Sequence, residues 1–136
     1  MAMKIQYLGQ AGFSFHDASR MLVLDPYLSD SVDRLPGFPA GFWTRAYPPP
    51  VTPAGLRDAN LVLCTHDHLD HADPETLLGI AAAAPGCEFG GPRATVELLH
   101  RIGIPPERTV MLNAGRSQAW RGITIEPIAA AHERYE

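Results

Sequence analysis

A strand, a polar loop and a helix start follow one another in the middle of this chain, and that succession limits the folds it can adopt. The apolar run Leu61–Cys64 predicts a strand over Asn60–Thr65. Asp73 has the side chain of a helix N-cap and Pro74 suits a first helical position, so a helix is predicted over Pro74–Ala83. Strands that alternate with helices indicate a mixed α/β fold.

The loop between this strand and this helix reads Thr-His-Asp-His-Leu-Asp-His, with three histidines and two aspartates in seven residues. Neutral imidazole and carboxylate are common ligands of zinc and of harder divalent ions. His66 and His68 stand two apart, so an extended segment directs both to one side and toward one ion. Asp70 and His71 follow where the chain must turn, and they could serve a second ion. Asp67 should point the other way and support the loop from behind.

The other predicted elements complete the α/β pattern. Three short strands at the N-terminus form an antiparallel meander, since only turn-like residues separate them. A second helix is predicted to end at Gly103, a suitable C-cap residue. The predicted strands are Lys4–Leu8, Gly12–His16, Met21–Asp25, Glu88–Gly90, Thr109–Leu112, Ser117–Trp120 and Ile123–Ala130, and the further helices are Pro53–Asp58 and Pro92–Ile102.

The pattern His66-x-His68-x-Asp70-His71 after an apolar strand resembles the signature of the metallo-β-lactamase-fold superfamily. The resemblance covers nearly all of the chain and is nearest to the branch of the ascorbate-6-phosphate lactonases. That branch also contains phospholipase D relatives that hydrolyse N-acyl-phosphatidylethanolamine. Further segments carry the likeness in the same order: Tyr7–Phe13, Leu24–Leu28, Gly90–Pro92 and Gly103–Pro105.

The resemblance implies a set of metal ligands. His66, His68 and His132 match the ligands of a first ion, and Asp70 and His71 match ligands of a second. His132 ends the apolar run Ala129-Ala130-Ala131, where this branch places its third histidine. One or two divalent ions are therefore expected, and zinc, manganese and iron all suit mixed histidine and aspartate ligation.

The resemblance also implies an activity. A metal-bound hydroxide, oriented by Asp70 as the catalytic carboxylate, would attack a small ester, with phosphorylated lactones among the substrates. Asp25 matches an aspartate that ends an early strand and hydrogen-bonds beneath the metal loop. Two alternatives stay open: a phosphodiesterase or phospholipase-D-like metallohydrolase, and a half-domain that binds metal without turnover.

The implied fold is an αββα sandwich, of which residues 1–136 would form one domain that lacks its second half. Relatives in this branch continue with a Gly-Asp segment, whose aspartate bridges the two ions, and with a further histidine. No aspartate follows Asp73 in this sequence, and no histidine follows His132. We therefore expect an exposed apolar face, covered in a homo-oligomer or by a partner that supplies the missing half.

A loop rich in proline and aromatic residues spans residues 26–53. A loop of this length inside a small domain is usually functional or disordered. Tyr27 and Trp43 are the predicted contacts of a small-molecule substrate, in a lid or wall over a cleft. The alternative is that the aromatic residues cover the edge of the core or pack on a partner subunit.

Net charge and composition limit the partners and the cellular location that we expect for the protein. The formal net charge of −4 gives no basic surface for nucleic acid. Two cysteines make no disulfide framework, no secretory signal precedes the first strand, and no apolar run approaches the roughly 20 residues of a membrane span. A cytoplasmic location is therefore expected.

Overall fold

The computed structural model describes residues 2–130, which form a six-stranded sheet, two helices and a hairpin. Strands β1 to β3 pair antiparallel, as the predicted meander requires. Strands β3 to β6 pair parallel and in chain order across the sheet. The six strands are β1 (Lys4–Gly9), β2 (Gly12–His16), β3 (Met21–Leu24), β4 (Leu61–Leu63), β5 (Glu88–Gly91) and β6 (Thr109–Met111).

Both helices connect parallel strands, α1 (Pro74–Ala83) from β4 to β5 and α2 (Arg93–Arg101) from β5 to β6. The predicted bounds of α1 are confirmed, and the Asp73 carboxylate accepts a hydrogen bond from the Thr76 amide as its N-cap. Shorter 3-10 helices lie at Val32–Arg34, Pro53–Leu56 and Pro106–Arg108. The mixed α/β fold predicted from the sequence is confirmed.

The helices pack on one side of the sheet and form the core there. Their apolar side chains meet strand residues that alternate onto this side, because successive residues of a strand point to opposite faces. The residues buried in this cluster include Leu8, Met21, Val23, Val62, Leu77, Ile80, Phe89, Leu99 and Ile104. Cys64 and Cys87 are buried in the same cluster as free thiols.

A hairpin of β7 (Gln118–Trp120) and β8 (Ile123–Ile125) begins a second layer on the other side. Trp120 is buried, and its indole Nε1 donates to the Glu88 carboxylate on β5 at 2.9 Å. The strand predicted over Ile123–Ala130 is wrong beyond Ile125. Pro127 lacks the amide proton that a longer ladder would need.

The same side of the sheet is apolar and open at β1 and β2. Ile5 is 59% exposed and Tyr7 is 57% exposed. Tyr7 contacts Phe13 on β2, with ring centroids 5.2 Å apart, and Phe15 continues the row. Residues 2–130 leave this half of the sheet face without a covering layer.

The proline-rich loop is tied to α1 near its start. The Ser31 hydroxyl donates to Asp73 at 2.9 Å, and the Leu28 amide donates to the Thr76 hydroxyl at 2.9 Å. Within the loop, the Asp33 carboxylate accepts a hydrogen bond from the Thr44 hydroxyl at 2.9 Å, which links two distant parts of the loop. Neither α1 nor α2, the helices of the described part, is long and apolar enough to cross a membrane.

Candidate metal centre

The histidine-rich loop lies at the carboxyl ends of β3 and β4. Asp25 directly follows β3, and its amide donates to the Leu63 carbonyl of β4 at 2.9 Å. Strand β1 runs parallel to β3, so the turn after Gly9 reaches the same edge. Open α/β sheets bind their ligands at such carboxyl ends.

Asp25 organises the beginning of the loop. It is 3% exposed and has a φ of +44°, a left-handed conformation that aspartate tolerates better than most residues. One carboxylate oxygen accepts from the Thr65 amide at 2.7 Å. The other accepts from the Thr65 hydroxyl at 2.8 Å and lies 3.0 Å from His71 Nδ1. Since a buried carboxylate needs donors, His71 carries its proton on Nδ1.

The same network defines the tautomer of His66. Its Nδ1 lies 3.0 Å from the Thr65 hydroxyl oxygen. That hydroxyl has one proton and donates it to Asp25, so its oxygen accepts from His66 Nδ1–H. Both His66 and His71 therefore have an Nε2 with a lone pair, which is the form that ligates a metal.

The predicted ligands lie close together. The ring centroid of His66 is 4.6 Å from that of His68 and 4.0 Å from that of His71. His71 Nε2 is 3.6 Å from an oxygen of Asp70. The structure thus brings four of the sequence-predicted residues into one cluster.

Gln10 holds the Asp70 carboxylate, a contact that the sequence analysis missed. Its side-chain amide donates to Asp70 Oδ2 at 2.9 Å, across 60 residues of chain. The Gln10 backbone is left-handed, with a φ of +52°, and its carbonyl accepts from the Tyr7 hydroxyl at 2.8 Å. In the sequence, the turn-like residues between β1 and β2 are the only signal for Gln10, and they do not show that its side chain reaches Asp70.

The remaining predicted residues are less fully described. His132 lies outside the described residues. Asp67 is half-buried and makes no hydrogen bond or ion pair to another residue between 2 and 130, so its role stays a prediction. Within that stretch, no three His, Cys, Asp or Glu side chains are placed to hold one ion by themselves. The donor types of the cluster nevertheless suit a divalent ion. Imidazole and carboxylate are both present, and the tautomers leave Nε2 on the side of each ring away from Asp25 and Thr65.

Cys64 lies directly before the loop and is buried in the core cluster on the helix side of the sheet. Burial raises the pKa of its thiol well above the ordinary range, and the nearby Asp25 carboxylate raises it further. The thiolate is the form of cysteine that ligates metals. A neutral buried thiol is therefore the state of this residue at neutral pH.

A cavity of about 790 Å³ opens beside the cluster. The proline-rich loop forms one wall, so Tyr27 and Trp43 line the same space as Asp70 and Gln10. Tyr27 is itself buried, and its hydroxyl accepts from the Val32 amide at 3.1 Å. That this loop forms a wall or lid over a bound substrate stays a prediction.

Several known proteins are similar to this chain in sequence. The sequence matches the family model described as beta-lactamase superfamily domain over residues 4–136. A metal-dependent hydrolase of Pyrobaculum islandicum is 29% identical over 136 residues, which cover 96% of this chain and 51% of that protein. A probable L-ascorbate-6-phosphate lactonase of Escherichia coli is 33% identical over 91 residues, which cover 63% of this chain and 25% of that protein.

The fold is shared with a solved structure. A possible metal-dependent hydrolase from Veillonella parvula superposes with a TM-score of 0.67 and 23% identity, over 90% of this chain and 47% of that one. The chain spans about half the length, or less, of the relatives that it matches.

Proposed function

Because the chain belongs to the beta-lactamase superfamily domain family, we propose that the clustered histidines and aspartate hold a divalent ion for ester hydrolysis. His66, His68 and His132 are the proposed ligands of a first ion, and Asp70 and His71 those of a second. The proposed reaction is the hydrolysis of a small ester, with a lactone as first choice. The observation that carries the proposal is the Asp25 network, since it gives His66 and His71 an Nε2 with a lone pair in the cluster that also contains Asp70, a residue of the cavity wall.

Each residue of the cluster has a task that its contacts support. Asp25 and Thr65 hold the tautomers of His66 and His71, so that neither ring needs to turn or lose a proton before it binds. Gln10 fixes one oxygen of Asp70 and leaves the other free to accept a proton or orient water. When bound, a divalent ion supplies Lewis acidity and lowers the pKa of water from about 15.7 toward about 7.

The proline-rich loop would position the substrate. Trp43 presents aromatic surface along the wall of the cavity that Asp70 also lines, and the buried Tyr27 supports that wall. Aromatic walls with a few polar groups are typical of small-molecule sites, because they exclude water and leave orientation to the polar groups.

The proposal is tested by comparing the rates at which the protein hydrolyses two chromogenic probes, an aryl-substituted lactone and an aryl phosphodiester. We expect the metal-loaded protein to hydrolyse the lactone faster. We expect Asp70→Asn to lower that rate by about 100-fold, the scale of a lost general acid–base group. Asp30→Asn is the matched control, because Asp30 is an exposed loop carboxylate.

The outcomes separate the alternatives. Faster hydrolysis of the diester would favour the phosphodiesterase. A metal-loaded, folded chain without activity on either probe would favour a metal-binding half-domain. Activity that survives both Asp70→Asn and a chelator would contradict the proposed site.

A further inference from the structure

Arg45 is the one cationic side chain among the described residues that line the cavity beside Asp70. It extends from the proline-rich loop and is half-buried. Its guanidinium carbon lies 3.9 Å from the centroid of the Tyr27 ring, so the guanidinium group stacks on that ring. A stacked guanidinium has a defined plane and a defined direction for its donors.

Every hydrogen-bond partner of Arg45 in the described chain is neutral. Nη2 donates to the carbonyl oxygens of Tyr27 and Ser29, the latter at 2.9 Å, and Nε donates to the Ser29 carbonyl at 3.3 Å. Between residues 2 and 130, no carboxylate lies within the 4.0 Å of an ion pair with it. The positive charge is therefore held in place without being neutralised.

The remaining nitrogen, Nη1, lies close to Gly9. It is 3.5 Å from the point where a Cβ on Gly9 would stand. Gly9 adjoins Gln10, whose side chain holds Asp70. Within the described part, Nη1 has no hydrogen-bond acceptor, so both of its protons are available to a ligand in the cavity that Arg45 lines.

We propose that Arg45 binds an anionic group of the substrate, a phosphate or a carboxylate, separate from the ester that is hydrolysed. This rests on the proposed function, because it assigns a substrate class to the same cavity. A planar guanidinium recognises the oxygens of phosphate and carboxylate with directed, charge-assisted hydrogen bonds. A half-buried cation without a counter-ion also favours an anionic ligand over a neutral one of the same shape.

Calorimetric titration with inorganic phosphate and with acetate tests this without any hydrolysis. The titrations compare the wild-type protein with Arg45→Gln, Arg45→Lys and Arg57→Gln, each at a measured and equal metal content. Arg57 is an exposed arginine outside this cavity, so its variant is a control for the loss of one positive charge. The unfolding temperature of each variant reports whether the loop is still folded.

We expect Arg45→Gln to raise the Kd of the preferred anion about tenfold or more, the scale of a lost charge-assisted hydrogen bond. Arg45→Lys should fall between this variant and wild type, since lysine keeps the charge and loses the planar fork. If Arg45→Gln proves unfolded, the ratio of the Kd of Arg45→Lys to the Kd of the wild type decides. Tighter binding of phosphate assigns a phosphorylated substrate, and tighter binding of acetate assigns a carboxylate.

Two results would overturn the inference: no binding of either anion to the wild type, or equal Kd values for wild type and a folded Arg45→Gln (for Arg45→Lys, where Arg45→Gln is unfolded). The outcome is independent of catalysis. Anion binding through Arg45 in a protein without hydrolase activity would reject the proposed function alone. If the protein hydrolyses the probe but substitution of Arg45 leaves the Kd of the anion unchanged, this inference alone is rejected.

Discussion

At the scale of single residues, the clustered donors of the candidate centre and Asp25 beneath them could be predicted from the sequence, whereas Gln10 and Arg45 could not. His66 to His71 are contiguous, so their chemistry is visible in one short window. Gln10 and Arg45 reach the cavity from distant segments. Their contacts depend on strand order and on loop conformation, which local patterns do not encode.

Asp25→Asn should lower the affinity for a divalent ion by about 10- to 100-fold, the usual effect of losing a group that orients a metal ligand. Two donors, the Thr65 hydroxyl and His71 Nδ1, share one oxygen of Asp25. An amide in its place cannot satisfy all three donors of the site, and asparagine tolerates the same left-handed backbone. Competition against a fluorescent zinc chelator measures the change. Asp58→Asn, at an exposed position, is the control, and equal affinity in Asp25→Asn and wild type would refute the assigned tautomers.

Replacing Gln10 separates its side-chain contact from its strained backbone. Gln10→Gly and Gln10→Ala both remove the donor to Asp70, so both should weaken ion binding by up to about tenfold. Glycine at this position accepts the φ of +52° without steric cost, whereas alanine does not, so only Gln10→Ala should also lower the unfolding temperature. Unchanged ion binding in the glycine variant would mean that Gln10 does not position Asp70.

At the scale of elements, strong local signals predicted the structure best. Helix α1 has an N-cap aspartate, a first-turn proline and a proline-glycine stop, and its predicted bounds are those observed. The last strand is shorter than predicted. Its pairing ends at Ile125, although apolar residues continue past Pro127. Apolar pattern alone cannot show where a ladder loses its partner.

Gly79→Ala should destabilise the protein although alanine favours helices. A Cβ at Gly79 in α1 would stand 2.6 Å from Cβ of Pro53, a rigid ring in the neighbouring 3-10 helix. Overpacking costs about 1–3 kcal/mol and the helix propensity of alanine returns about 1 kcal/mol, so we expect a net loss of up to about 2 kcal/mol in the free energy of unfolding. Gly86→Ala is the matched control, because a Cβ there meets nothing within 4 Å, and urea unfolding compares the two. A Gly79→Ala variant as stable as wild type would show that the two helices do not pack this closely.

At the scale of the whole molecule, the sheet has one side covered by helices and one side only partly covered. The hairpin bonds to β5 and β6, while Ile5 and Tyr7 on β1 stay exposed in the described structure. An apolar face of this kind is typical of a surface that packs against another layer. We propose that a further layer, from a partner or from a second copy of the chain, packs on this face.

Ile5→Lys should reduce self-association of the protein, because a charge on this face makes its burial costly. Light scattering coupled to size-exclusion chromatography measures the mass of wild type and variant. Leu78→Lys is the control, since Leu78 is 43% exposed on α1, on the opposite side of the sheet. A wild-type protein that is a monodisperse monomer would contradict the expected association.

The metal content of the folded chain tests the central claim most directly. Elemental analysis after loading with zinc, manganese or iron and desalting compares wild type with a His66→Ala/His68→Ala variant, and circular dichroism checks that both are folded. Three protein ligands and a water suffice for one tightly held ion, so we expect about one divalent ion per wild-type chain and close to none in the variant. A folded wild-type chain without metal, or a variant that retains as much as wild type, would contradict the proposed centre.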